Sequence, residues 1–164
     1  MKKILFLGFL ILIFSCDDGN FETPSFNFDD APIENCGNLI LYKVNDSEVL
    51  LLELDEDNTD NAFFKTEKED IPFSLNDKIY YRTYDASIPN GFFCNAIPPS
   101  SPKLNREWIG SGTLIVNNTI TENDDGTFTY VATFKILDMN LSNSNGNSIV
   151  FDTYDFGVKT GTFQ

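Results

Sequence analysis

Three cysteines and one run of carboxylates are the residues of this chain whose chemistry can be written before any fold is known. Cys36 and Cys94 are far apart in sequence, and outside the cytoplasm such a pair is free to oxidise. A bridge between them would close a long loop, where chain entropy alone predicts roughly 4 kcal/mol of stabilisation; the other reading is two separately buried thiols. The segment Asp55-Glu56-Asp57-Asn58-Thr59-Asp60 places oxygen donors at alternating positions, and Asp55, Asp57 and Asp60 are its calcium candidates. It lacks the turn glycine of an EF-hand, and Thr66 stands where the bidentate Glu belongs, so a solvated turn is the competing reading. The chain has no histidine. That removes Ser-His-Asp and Cys-His catalysis, and with no C-x-x-C pair it leaves no zinc framework. There is no G-x-S-x-G elbow and no glycine-rich phosphate loop. Acids are numerous enough to supply a glycosidase pair, but a small domain of short strands offers little material for a deep cleft. No catalytic residue, metal or cofactor is therefore assigned.

The aromatic content, 16 Phe, 6 Tyr and 1 Trp, has two readings. The plainer one is a Phe-built core, as all-β domains favour. The sharper one is an exposed stacking platform for sugar made by Tyr80, Tyr84 and Trp108. Tyr80 and Tyr84 fall on one face of a strand pattern with Arg82 between them.

Residues 1–16 carry the clearest address. Lys2 and Lys3 precede an apolar run from Ile4 to Phe14, and Ser15 then sits directly before Cys16. The order of charge, apolar run and small residue is that of a secretory signal. The run is too short for a transmembrane helix, which needs about 20 apolar residues. Ile13-Phe14-Ser15-Cys16 resembles the lipobox of bacterial lipoproteins. The resemblance implies that residues 1–15 are removed as a signal peptide and that Cys16 is the lipid attachment site. Two or more acyl chains hold a protein stably on a bilayer, at about 0.8 kcal/mol per buried methylene. Asp17 and Asp18 follow at once, and in lipoproteins of the Bacteroidota acids at that place resemble an export signal to the outer leaflet. The implied location is the cell envelope, anchored to the outer membrane and exposed on the cell surface.

The formal charge of −14 excludes nucleic acid as a partner, because phosphate neutralisation requires clustered Lys and Arg. Residues 16–24 read as the lipidated Cys with a short polar tether. Residues 25–164 read as one domain, long enough to bury a core.

Within that domain the signal is period 2. Asn38–Val44 and Glu48–Asp55 form two β-type runs around a loop of Asn45-Asp46-Ser47, with Leu50, Leu52 and Leu54 on one face. Lys78–Tyr84 alternates, with Ile79 and Tyr81 opposite Tyr80 and Tyr84. Thr113–Thr121, Thr127–Met139 and Ser148–Phe156, separated by turns ending in Asp-Gly and built from Ser-Asn-Ser-Asn-Gly-Asn, read as an antiparallel meander. The Pro-rich stretch Ala96–Lys103 reads as a surface loop and Leu104–Trp108 as a single helical turn. No segment shows helical periodicity over three turns. The expectation is an all-β fold of about eight short strands, an antiparallel β-sandwich or, alternatively, a small β-barrel. The function expected is a non-catalytic, lipid-anchored accessory or structural module acting on an envelope protein. The alternative is a surface lipoprotein that captures a glycan or another small molecule.

Overall fold

A computed structural model of the chain describes residues 25–37, 40–55, 63–95, 97 and 99–164. Its seven strands are β1 (Glu34–Cys36), β2 (Ile40–Asn45), β3 (Glu48–Glu53), β4 (Lys68–Tyr84), β5 (Leu104–Glu122), β6 (Phe128–Ser142) and β7 (Ser148–Phe163). The fold is all-β. All seven strands are antiparallel and lie side by side in chain order, in one curled sheet, which matches the barrel alternative rather than two stacked sheets. Four of the strands are long: the patterns read at Lys78–Tyr84 and Thr113–Thr121 are only the C-terminal parts of β4 and β5. Leu104–Trp108 opens β5 and is not a helical turn. The one 3₁₀ turn among the described residues is Phe92–Cys94.

The turns are local and legible. Asn45 pairs with Glu48, so the β2–β3 loop is two residues long, Asp46-Ser47, with Asp46 in the left-handed region at φ 53°. The β5–β6 and β6–β7 loops share one design. Asn123 N–H donates to Thr127 C=O (2.8 Å), and Asn143 N–H donates to Asn147 C=O (3.1 Å). In each, the glycine (Gly126 at φ 78°, Gly146 at φ 81°) supplies the left-handed step.

The curl comes from a crease that crosses the long strands. In β4 the register shifts between Leu75 and Ile79, where Asp77 takes φ 55° and its N–H is held by Ser111 Oγ at 2.9 Å. In β5 the shift lies between Ser111 and Thr113, and in β6 Asp138 takes φ 52°. Each bulge bends its strand and raises the local twist. At the crease Gly110 lets β5 approach β6 with nothing between the backbones: a Cβ there would lie 2.7 Å from the Asn140 carbonyl carbon and 2.8 Å from Leu141 Cα.

Curling gives the sheet an inner and an outer face. The inner face carries Leu50, Leu52, Ile79, Tyr81, Trp108, Leu114, Phe134, Ile136, Met139 and Phe156, all buried. An N-terminal strap, residues 25–33, lies across the open side and adds Phe28, only 1% exposed, to this core. Full burial of one such ring stabilises by about 1.5–3 kcal/mol. A second, smaller cluster covers the outer face of β2–β4, where Tyr42, Val49 and Leu51 lie beneath Ile88 and Phe92 of the β4–β5 connection. β3 is therefore buried on both sides, which its unbroken Val49–Leu52 run allows.

Candidate functional site

The sequence-selected residues do not meet in one place. Cys16, Asp57 and Asp60 lie outside the described residues. Asp55 is ion-paired with Lys78, and among the described residues no group of three His, Cys, Asp or Glu is arranged around a common point. Cys36 and Cys94 are joined by a disulfide, their Cα atoms 5.2 Å apart. The bond ties β1 to the 3₁₀ turn and so pins the β4–β5 connection over the second cluster.

Tyr80, Tyr84 and Trp108 do not form a platform. Trp108 pairs directly with Tyr81, so it faces the inside, 2% exposed, with its ring centroid 5.0 Å from that of Tyr81. Tyr80 and Tyr84 are on the opposite face. The Arg82 guanidinium covers the Tyr80 ring at 4.7 Å, and Tyr80 Oη donates to Glu53 at 3.3 Å. Tyr84 packs edge-on against Phe92 and Phe93 inside the second cluster. Alternation assigned Tyr80 and Tyr84 to one face correctly. It carried no information on which face of β5 would register with it.

The polar groups that stand out instead lie on the inner face, under the strap. Lys43 shares that face with Leu41 and is 2% exposed. Register places Lys43 opposite Leu50, Leu50 opposite Tyr81, and Tyr81 opposite Trp108. These four side chains make one transverse row, about 14 Å long at the usual strand spacing. Across the opening, Gly157 at φ 125° leaves room for the amine: a Cβ there would sit 3.6 Å from Lys43 Nζ. No hydrogen bond or ion pair engages this amine among the described residues. Burial lowers the Lys43 pKa, and the carboxylates of Asp29 and Asp30 on the strap oppose that shift. Tyr154 is pushed up to about 12, by burial first and by Asp29 second. One strap carboxylate thus acts on both groups. The Tyr154 hydroxyl and Trp108 Nε1 are buried without hydrogen-bond partners, a costly state for polar atoms in a core. Sequence reasoning missed this site, although Lys43 at the inward position of an otherwise apolar strand was a legible signal.

The strap is anchored by the buried Phe28 and Ile33 rather than by buried polar contacts. Its side-chain hydrogen bonds among the described residues include Ser25 Oγ to Glu48 (2.7 Å), Asn45 Nδ2 to Asn27 C=O (2.8 Å) and Lys159 Nζ to Ile33 C=O (3.1 Å), the first two exposed and the last half-buried. Phe26, at φ 37°, contacts Tyr81, Phe151 and Tyr154 with centroids 5.1–5.6 Å apart.

On the outer side, no layer of described residues covers β5–β7. A groove of about 480 Å³ runs there past Ile115, Asn117, Thr133 and Val158. Val131 and Val158 are 40% and 57% exposed. Compared with protein-family models, curated proteins and solved structures, the chain matches none.

Proposed function

We propose that this chain is a non-catalytic, lipid-anchored protein of the cell envelope that works through protein contacts, as an accessory or structural module on the outer membrane. The anchor rests on the resemblance of residues 13–16 to a lipobox. The contact surface rests on one observation, the outer face of β5–β7, which no layer of described residues covers. There Val131 and Val158 are diagonal neighbours, set among Thr119, Thr133 and Thr160. Exposed β-branched residues beside a groove, with Asp70, Lys135 and Asp155 at its border, fit a partner surface better than they fit open solvent.

Two expected results test this. Replacing Cys16 with Ala should move the protein from the membrane fraction to the soluble fraction of disrupted cells; continued membrane attachment would overturn the anchor. A photo-crosslinking residue at Val158 should trap one partner band on intact cells, and Val131→Asp should reduce that band at least tenfold. A crosslink pattern indifferent to Val131→Asp would remove the outer face from the reading. The alternative, capture of a small molecule at the surface, draws its support from a different place, the unpartnered polar groups beneath the strap.

A further inference from the structure

We infer that the inner face beneath the N-terminal strap is a binding site for an anionic amphiphile, an apolar chain ending in a carboxylate, and that the strap occupies this site as an internal stand-in. The inference deepens the small-molecule alternative and is independent of the lipid anchor and of the outer face. Three observations carry it. First, Lys43, a residue only 2% exposed, ends the Lys43–Leu50–Tyr81–Trp108 row, and its amine makes no hydrogen bond or ion pair among the described residues. Buried charges are normally paired, because leaving water is otherwise too costly. Second, the Tyr154 hydroxyl is unpartnered in the same opening, and the strap group acting on both it and Lys43 is the Asp29 carboxylate. Third, the strap reproduces the chemistry of such a ligand. Phe26 and Phe28 lay apolar bulk against Tyr81, Phe151 and Tyr154, and the carboxylates of Asp29 and Asp30 supply negative charge that acts on Lys43.

The strap is also built to leave. Phe26 holds a left-handed backbone that bulky residues rarely adopt. Two of the strap's side-chain hydrogen bonds to the sheet, Ser25 to Glu48 and Asn45 to Asn27, are exposed. A carboxylate that reached Lys43 directly would supply the charge-assisted hydrogen bond that Asp29 and Asp30 do not make. The acyl chain would lie along the row in place of the phenylalanine rings. The chain's overall negative charge selects against small anions, so only an anion with a large apolar part gains enough by burial to bind.

The test titrates the full-length chain carrying Cys16→Ala with dodecanoate, dodecanol and dodecyltrimethylammonium, each below its micellar concentration. Trp108 is the only tryptophan and lies in the row, so its emission reports occupancy. The expected result is a saturable response to dodecanoate, with affinity roughly tenfold or more above that for dodecanol. Lys43→Met, similar in volume and neutral, should bring the acid down to the level of the alcohol while leaving the β-type circular dichroism unchanged. Phe28→Ala should tighten dodecanoate binding, because a looser strap raises the fraction of molecules open to ligand. Absence of a saturable Trp108 response overturns the site. So does equal affinity for acid and alcohol, a preference that survives Lys43→Met, or weaker binding in Phe28→Ala. The comparison of acid with alcohol in the chain with Lys43 and Phe28 intact decides the matter even if neither variant folds.

Discussion

Gly110→Ala is expected to destabilise the fold by roughly 3 kcal/mol or more, the largest effect of any glycine-to-alanine change among the described residues. The added carbon would overlap the Asn140 carbonyl group and lie 2.8 Å from Leu141 Cα, and both obstacles are backbone rather than a side chain that can swing away. Relief would require β5 and β6 to separate at the crease. There Ile109 pairs with Ser142, Gly110 with Leu141 and Ser111 with Asn140. Separation would also lift Trp108 and Leu141 out of close packing. With a urea slope of about 2 kcal/mol/M, the unfolding midpoint should fall by about 1.5 M. Gly126→Ala is the control. It places a methyl group in open space but at φ 78°, so only the backbone cost of about 1–2 kcal/mol applies. Equal midpoints for the two variants would mean that close approach at the crease does not hold the sheet in its curled form.

Removing the disulfide by Cys36→Ala with Cys94→Ala is expected to cost about 4 kcal/mol, because the bond closes a loop with a sequence separation of 58. The loss should be uneven. The bond secures the β4–β5 connection, which covers Tyr42, Val49 and Leu51 on the outer face of β2–β4. Amide exchange should therefore accelerate most in β1–β3 and around Phe92–Cys94, and least in the β5–β7 meander, whose hairpins close locally. A reductant should produce the same shift in the unsubstituted chain and none in the double variant. A midpoint within about 1 kcal/mol of the unsubstituted chain would show that packing alone holds the connection.

Much of the β-structure was readable because it is local. Phe134 and Ile136 alternating with Thr133 and Lys135 need no tertiary information, since successive side chains in a strand point to opposite faces. The loops around Gly126 and Gly146 announce themselves by residues that tolerate positive φ. Strand lengths were underestimated because bulges break the alternation. Asp77 and Asp138 each insert an extra step, and a period-2 pattern stops there even though the strand continues. The candidate site was less legible. Tyr80, Tyr84 and Trp108 were grouped by residue type, whereas the pairing of Trp108 with Tyr81 put one of them on the inner face and two on the outer. A one-residue change in register would have reversed that result.

By itself the sequence determined that the chain is all-β, where its hairpins turn, and which cysteines could meet, because alternation and turn chemistry act over a few residues. Only the tertiary structure decided that the strands make one curled sheet, that its open side is filled by residues 25–33, and that Lys43 is buried on the same inner face. Those outcomes depend on contacts between residues distant in sequence. Lys43 and Gly157, on β2 and β7, face each other only because the crease bends the sheet between them.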